Sequence, residues 1–280
     1  MNQQEIDKYK ESAKNVWGTT PAGTTFGQGH AKGTKEFFES VLKKRFTYEC
    51  DWLDGIVNFA QFKDKKVLEV GCGAGYDAYM FCKNGADYTG IDIAPENIET
   101  TKKHLGHYGY NPTILQMDAS SMLFDNEFDY IYSFGVLHHI PDMERALSKI
   151  HCALKKGGKA QIIVYNRNSI FYKLSLIFGV WFWAGKYKTM SLREVLQKIE
   201  YTESDKLPWV EVYSKKDLFK IFHKIGFFSM KFDIRKLVYE DIVAVPILGR
   251  VLKNFPKKFF DFLGKFFGWY VSVTAEKNRH

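Results

Sequence analysis

The fold is decided by the stretch Lys66-Val67-Leu68-Glu69-Val70-Gly71-Cys72-Gly73-Ala74-Gly75, which joins a short apolar run to three closely spaced glycines. The apolar run is typical of a parallel strand that is covered on both faces. The glycines lack a Cβ atom, so the backbone can turn tightly and approach a ligand closely. Amide groups at the start of the next helix, predicted over residues 76–84, would face that ligand and favour a negatively charged group. The stretch therefore predicts a strand, a ligand-binding turn and a helix.

The spacing of the glycines distinguishes this turn from two other nucleotide-binding motifs. A dinucleotide-binding fingerprint has the pattern G-x-G-x-x-G, and a P-loop has G-x-x-x-x-G-K-[ST]. Here the pattern is G-x-G-x-G, with Tyr76 at the last glycine position of the dinucleotide fingerprint and no lysine after it. The segment from Glu69 to Gly75 resembles the first motif of class I S-adenosylmethionine-dependent methyltransferases.

Length and composition indicate a globular α/β protein. The chain has 280 residues, of which 45% are hydrophobic and 26% charged, enough for one large domain with insertions. The net charge of +8 is spread along the chain, so it does not by itself indicate a nucleic-acid partner. Four cysteines without a C-x-x-C pair argue against a disulfide framework or a zinc site, and the N-terminus is polar. We therefore expect a cytoplasmic protein without a signal peptide.

The alternation of predicted strands and helices divides the chain into four parts. Residues 1–60 contain N-terminal helices and a flap over the cofactor, and residues 61–167 alternate as expected for a Rossmann-like core with a parallel sheet. Residues 168–210 interrupt this alternation with an aromatic run and a charged helix, which we interpret as a lid. Residues 211–280 return to the core and contain a second insertion, 236–268, rich in aromatic and basic residues.

Residues suited to binding a nucleoside follow the predicted strands in order. Ligands of open α/β sheets bind at the carboxyl ends of the strands. Asp92 follows the second strand, where a carboxylate can accept both hydroxyls of a ribose; a role at the start of the next helix is the less favoured interpretation. Asp118 and Ala119 follow the third strand, where the acid can accept from an adenine amino group and the small residue leaves room for the ring. Gly135, after the fourth strand, permits close approach of the backbone to a ligand.

Together with the glycine turn, these residues and the run Leu137-His138-His139-Ile140-Pro141-Asp142 resemble class I methyltransferases of the quinone-biosynthesis subgroup. The resemblance covers about residues 60–167, and residues 211–277 by their strand–helix alternation only. It implies a Rossmann-like, seven-stranded and mostly parallel sheet with helices on both faces and an antiparallel last strand. It also implies S-adenosylmethionine as cofactor, held by Glu69, Gly71, Gly73, Gly75, Asp92, Ile93, Asp118, Ala119, Phe134 and Val136.

Methyl transfer from a sulfonium requires chiefly that the acceptor be held in line in a pocket that excludes water. An acceptor hydroxyl would also need a general base, for which His139 and His138 are the candidates. The alternative is that one histidine caps a helix and the other packs in the loop. Further acceptor contacts are predicted at Trp17, Tyr76, Tyr165, Asn166 and Trp181, although a place in the core is the favoured interpretation of Tyr76. No metal site is expected, because the histidines at 104 and 107 have no carboxylate pair nearby.

The C-terminal region allows two interpretations. At helical spacing, Phe255, Phe259, Phe262 and Phe266 form one apolar face flanked by lysines. We favour a helix that closes over the substrate pocket with this face. The alternative is a helix that lies on a membrane surface and lets the enzyme reach a lipid-like acceptor.

The sequence therefore predicts a methyltransferase that acts on a small or medium-sized metabolite, mainly by O-methylation of an apolar, aromatic or lipid-linked acceptor. A non-catalytic S-adenosylmethionine-binding or scaffold protein remains as an alternative. A second alternative, an NAD-dependent oxidoreductase, is disfavoured by the glycine spacing. No nucleic-acid partner is expected, since no N-P-P-Y motif follows the fourth strand. The oligomeric state is not predicted.

Overall fold

A seven-stranded sheet organises the computed structural model, which describes residues 3–19, 24–27, 29–200, 209–242 and 246–278. The strands are β1 (Lys66–Val70), β2 (Asp87–Asp92), β3 (Thr113–Gln116), β4 (Phe128–Phe134), β5 (Leu154–Tyr165), β6 (Phe227–Arg235) and β7 (Tyr270–Lys277). Their order is β3-β2-β1-β4-β5-β7-β6. Only β7 runs antiparallel to its neighbours, β5 and β6. The predicted mostly parallel sheet with an antiparallel last strand is confirmed.

Helices cover both faces of the sheet, as predicted. They are α1 (Gln3–Thr19), α2 (Lys35–Lys44), α3 (Asp54–Val57), α4 (Tyr76–Lys83), α5 (Pro95–Gly106), α6 (Met143–Ala153), α7 (Leu192–Glu200), α8 (Lys215–Ile225), α9 (Pro246–Leu252) and α10 (Lys257–Phe267). Successive residues of β1 point to opposite faces, so Leu68 packs in the core beneath α6 and α8, and Val67 packs in the core beneath α3 and α4. Local signals also fix helix starts: the spacing of Ser214 and Asp217 in the sequence is that of a capping box, and the two residues form one at the start of α8.

Two predicted boundaries differ from the structure for backbone reasons. The sequence pattern predicts a helix over residues 51–60, but α3 is shorter and ends at Val57, where Asn58 takes a left-handed conformation with φ of 51°. The pattern also predicts that β5 begins at Lys159, whereas the strand begins at Leu154. The register between β4 and β5 shifts within this part: Phe128 pairs with Leu154, and Tyr130 pairs with Lys159. This irregularity of the β-bulge type accommodates the additional residues of β5.

The insertions fold as additional helices around this core. The predicted lid contains a π-type helix, Phe171–Trp183, followed by α7; residues 201–208 of the lid lie outside the described residues. The second insertion contains a short turn of helix, Tyr239–Asp241, then α9 and α10, and its residues 243–245 are also outside the described part. Of the flap, residues 20–23 and 28 are not described. In the described ranges no helix is both long and apolar enough to cross a membrane.

Candidate active site

A cavity lies at the carboxyl ends of the central strands, where the strand order reverses between β1 and β4. The structure brings most of the predicted site residues to its walls. Those that line it are Trp17, Glu69, Gly71, Gly73, Tyr76, Asp92, Ile93, Asp118, Ala119, Phe134, Val136, His139 and Tyr165. The predictions that placed these residues near one another therefore agree with the geometry of the fold.

The glycine turn has the backbone that its sequence implies. Gly71, Gly73 and Gly75 have φ values of 80°, 54° and 78°, which favour glycine over other residues. A Cβ atom on Gly71 would lie 2.2 Å from Val136 Cγ2, whereas one on Gly73 would meet nothing within 4 Å. Gly75 does not line the cavity; it precedes α4 and packs against Thr101. Gly71 and Gly73 thus form the ligand-facing part of the turn.

Asp92 connects the glycine turn to the start of α5. Its Oδ2 atom accepts a hydrogen bond from the Gly73 amide at 2.9 Å, and Oδ1 accepts from the Ala94 amide at 2.9 Å and from Asn97 Nδ2 at 3.2 Å. Burial raises the pKa of Asp92, and these hydrogen bonds oppose that effect. The less favoured interpretation, a role at the helix start, is therefore also realised. The same carboxylate lines the cavity.

Asp118 is held from two sides at the edge of the cavity. Its Oδ1 atom accepts from the Ser120 amide at 2.8 Å, and its Oδ2 atom lies 2.7 Å from Lys10 Nζ. Lys10 belongs to α1, so this ion pair ties the N-terminal helix to the turn after β3. Beside it, Ala119 also lines the cavity and leaves the space that a planar ring requires.

A buried ionic cluster forms another side of the cavity, and the sequence did not predict it. Arg45 Nε and Nη2 donate to the two carboxylate oxygens of Asp77, each at 2.8 Å, and Tyr132 Oη donates to Asp77 Oδ2 at 3.0 Å. The neighbouring Glu69 accepts from Tyr88 Oη at 2.6 Å. Burial raises the pKa of Glu69 well above its usual value, and the Asp77 charge raises it further.

Five aromatic rings also line the cavity, and we call them the aromatic wall: Trp17, His139, Tyr165, Tyr270 and Phe134. Their ring centroids follow one another at 5.0 Å from Trp17 to His139, 6.0 Å to Tyr165, 5.7 Å to Tyr270 and 4.9 Å to Phe134. Tyr270 was not predicted. It lies here because β7 is antiparallel, so its first residue is paired with Tyr165 at the carboxyl end of β5.

Of the two candidate bases, only His139 lines the cavity. Its Nδ1 atom lies 2.7 Å from the Trp209 carbonyl oxygen, so Nδ1 carries the proton and Nε2 carries the lone pair. Burial lowers the pKa of His139 to about 4, while the hydrogen bond to Trp209 opposes this shift. His138 is fully buried behind the cavity, with its ring 3.8 Å from that of Tyr165.

Two further predicted contacts lie away from the cavity. Asn166 uses its side chain to join strand ends: Nδ2 donates to the Gly268 carbonyl at 2.9 Å, and Oδ1 accepts from the Asn168 amide at 2.9 Å. Trp181 lies in the lid, where its indole donates to the Met190 carbonyl at 2.9 Å. Both side chains therefore support the backbone.

Helix α10 does not lie over the pocket as predicted. Helix α10 buries Phe260 and Gly264, and none of its residues lines the cavity. Phe262 and Phe266, on the face expected to close the pocket, are 60% and 54% exposed. The favoured interpretation of this helix was wrong, since its burial is set by contact with Leu237 rather than by the cavity.

The residues at the cavity fit S-adenosylmethionine. Gly73 leaves open space beside the turn, Asp92 presents a buried carboxylate, and Ala119 leaves room for a ring. The Tyr76 hydroxyl is buried at the cavity and has no hydrogen-bond partner within the described ranges, so it has capacity for a polar group of a ligand. Carboxylates and open glycine backbone are the groups that a cationic donor with a ribose requires.

Comparison with known proteins agrees with this fit. Residues 42–228 match the family model of the methyltransferase domain, so the chain belongs to this family of class I S-adenosylmethionine-dependent methyltransferases. The ubiquinone biosynthesis O-methyltransferase of Vibrio parahaemolyticus is 26% identical over 179 residues, which cover 63% of this chain and 68% of that protein.

Two solved structures share the fold. The YcgJ protein of Bacillus subtilis superposes with a TM-score of 0.54 at 16% identity, covering 82% of this chain and 99% of that one. A methyltransferase of Haemonchus contortus in complex with S-adenosylhomocysteine gives a TM-score of 0.52 at 18% identity, covering 81% of this chain and 53% of that one. At these identities the similarity shows the fold alone.

Proposed function

We propose that this chain transfers the methyl group of S-adenosylmethionine to a hydroxyl group of an apolar, aromatic acceptor. The aromatic wall carries this proposal, because its five rings line the same cavity as the glycine turn and Asp92. Aromatic side chains bind flat apolar molecules through buried area and through stacked or edge-to-face contacts. The name of the Vibrio parahaemolyticus relative supports oxygen as the atom that is methylated.

The residues of the chain have three tasks in this reaction. S-adenosylmethionine supplies, when bound, a methyl group that is already activated on a sulfonium. The aromatic wall holds the acceptor and keeps water away, and such positioning is worth up to roughly 7–11 kcal/mol when the geometry is right. His139 takes the hydroxyl proton on Nε2, because its Nδ1 proton is fixed by the Trp209 carbonyl. Its pKa, lowered by burial to about 4, keeps the ring neutral near pH 7 and leaves the Nε2 lone pair available, but the same shift makes His139 a weaker base than an unperturbed histidine.

The cofactor is tested first, by calorimetric titration of the full chain with S-adenosylmethionine and, separately, with NADH. We expect binding of S-adenosylmethionine only. Asp92→Ala removes the carboxylate at the glycine turn and should weaken binding by about tenfold or more, since hydrogen bonds to a charged group contribute about 1.5–3 kcal/mol. The matched control is Asp125→Ala, which removes an exposed acid outside the cavity. Preferential binding of NADH would contradict the proposal.

The reaction is tested by transfer of labelled methyl to a catechol that carries an alkyl chain. His139→Gln keeps a polar side chain of similar length and should lower kcat by about 10²–10⁴-fold while the affinity for S-adenosylmethionine is retained. His30→Gln, at an exposed position, should leave kcat unchanged. With an acceptor that carries both a hydroxyl and an amino group, label on nitrogen instead of oxygen would contradict the assigned methylation site. Full activity of His139→Gln would contradict the assigned base. Cofactor binding without turnover on any hydroxylated aromatic would leave a non-catalytic binding protein.

A further inference from the structure

The helix Phe171–Trp183 and the turn after it expose a cluster of aromatic side chains. Phe178, Phe182, Trp183 and Tyr187 are 47%, 54%, 74% and 47% exposed. Their rings contact one another, with centroids 5.9 Å apart for Phe178 and Phe182, and 5.7 Å apart for Phe182 and Tyr187. With Leu174, which is also exposed, they form one continuous apolar surface that we call the aromatic patch. Continuous surfaces of this kind on a folded protein mark interaction sites.

The segment that carries the aromatic patch has charge of a single sign. Residues 171–190 contain no Asp or Glu and three lysines, Lys173, Lys186 and Lys188, all of which are exposed. Lys188 Nζ lies 5.9 Å from the centroid of the Tyr187 ring. None of the three lysines forms an ion pair with a carboxylate of the described residues. The patch therefore combines exposed rings with uncompensated positive charge.

A second surface with exposed rings and lysines lies on α10, and we call it the α10 face; α10 also carries the exposed acid Asp261, which is paired with Lys257. It consists of Phe262, Phe266 and Phe267, of which Phe262 is the most exposed, together with Lys258 and Lys265. Both surfaces rest on one segment of chain. Phe260 of α10 packs against Leu237, and Ile170, at the start of the patch helix, packs in the same cluster.

We propose that the aromatic patch docks on the headgroup region of an anionic lipid bilayer, and that the α10 face, which shares a buried cluster with the patch helix, is part of the same docking surface. Phe, Trp and Leu on one side with lysines around them is the composition of segments that lie in a membrane interface. Lysines near such a surface are attracted by anionic lipids. A second copy of the chain is a poorer occupant, because pairing the patch with itself would bring lysines of like charge together.

Docking through this surface places the cavity beside the bilayer. The patch helix packs on the aromatic wall through Trp269: the Phe171 ring lies 4.8 Å from that of Trp269, which lies 4.3 Å from that of Tyr165. An apolar acceptor dissolved in the bilayer would then lie close to the wall that is to bind it. This consequence rests on the proposed function, whereas bilayer binding itself does not.

The experiment is flotation of the full chain with two kinds of vesicle: phosphatidylcholine alone, and phosphatidylcholine with about 30% phosphatidylglycerol. We expect binding to the anionic vesicles at low salt, weakened by added salt because the attraction is screened. Phe182→Ser with Trp183→Ser, and separately Lys186→Glu with Lys188→Glu, should each lower vesicle binding by on the order of tenfold or more. The matched control is Phe219→Ser with Leu123→Ser, which removes side chains that are 51% and 85% exposed elsewhere.

Three results would overturn the proposal. These are no binding of the native chain to anionic vesicles at low salt, equal binding to the two vesicle types, and a loss of vesicle binding in the control variant as large as that in the patch variants. A concentration-dependent dimer that is dissociated by the Phe182 and Trp183 substitutions, without vesicle binding, would assign the surface to a second copy. Circular dichroism shows whether each variant is folded. If methyl transfer to hydroxyls fails while vesicle binding and its loss in the variants are found, the docking surface stands and the proposed function does not.

Discussion

Replacing Gly71 with alanine tests whether the glycine turn is built as the structure shows. Two costs add at this position. The backbone has φ of 80°, where a residue with a Cβ atom costs roughly 1–2 kcal/mol. The new Cβ would also lie 2.2 Å from Val136 Cγ2 and 2.9 Å from Cγ1, and overpacking of this kind typically costs about 1–3 kcal/mol. We therefore expect Gly71→Ala to lower the free energy of unfolding by about 2–5 kcal/mol.

Two further variants separate these costs in urea unfolding. Gly73→Ala has φ of 54° and no atom within 4 Å of the new Cβ, so it should show the backbone cost alone, about 1–2 kcal/mol. Val136→Ala removes the two Cγ atoms nearest to the new methyl group at position 71 and leaves only Cβ, at 3.0 Å, so combining it with Gly71→Ala should recover most of the contact cost of about 1–3 kcal/mol as a coupling energy in a double-mutant cycle. Equal losses in the two glycine variants, or a coupling energy near zero, would refute the close contact between the turn and Val136.

Two other predictions concern buried charge. Arg45→Met leaves the Asp77 carboxylate buried without its bidentate partner, so we expect urea unfolding to show a free energy of unfolding lower by about 3–5 kcal/mol. Lys257→Met, at an exposed ion pair, should lower it by less than about 1 kcal/mol. Similar losses in both variants would contradict the assignment of a buried ion pair to Arg45 and Asp77. Because burial holds the pKa of His139 at about 4, below its ordinary 6.5, the unfolded chain binds this proton more readily. Its contribution to stability is complete above about pH 6.5 and is lost as the pH falls towards 4. His139→Gln should therefore make the unfolding free energy fall less steeply across that range, where His104, His138 and His151 still contribute in the same direction, while His30→Gln should not.

The sheet could be predicted from the sequence because its signals are local. An apolar run, a glycine turn and a capped helix each occupy fewer than about fifteen residues, and their alternation fixes a parallel sheet. Most of the candidate residues then follow from one rule, since the carboxyl ends of parallel strands meet at one edge. Asp92 and Asp118 line the cavity for this reason.

What could not be predicted depends on contacts between distant parts of the chain. In the sequence, Arg45 is a basic residue at the end of one helix and Asp77 is an acid in the first turn of another, and no local pattern links them. Only the folded chain brings these two residues, 32 positions apart, into contact. Tyr270 could have been found from the antiparallel last strand, whose first residue must return to the carboxyl ends of the others. For α10, periodicity identified an apolar face but could not say whether that face is buried.

The cavity draws its charged and its aromatic side chains mostly from different elements, and the two sets meet where the Arg45 guanidinium lies 5.2 Å from the centroid of the Phe134 ring. Carboxylates come from β1 and β2 and from the first turn of α4: Glu69, Asp92 and Asp77, with Arg45 as the buried cation among them. Aromatic rings come from the carboxyl ends of β4 and β5 and the start of β7, with Trp17 of α1 completing the wall. In the proposed reaction, a donor that carries a sulfonium would be attracted chiefly to Asp92, because Asp77 is paired with Arg45 and the raised pKa of Glu69 favours its neutral form. An uncharged aromatic acceptor would be desolvated at least cost among the rings. In the proposed reaction, donor and acceptor would meet in the cavity between β1 and β4, which is the point where the order of the strands reverses.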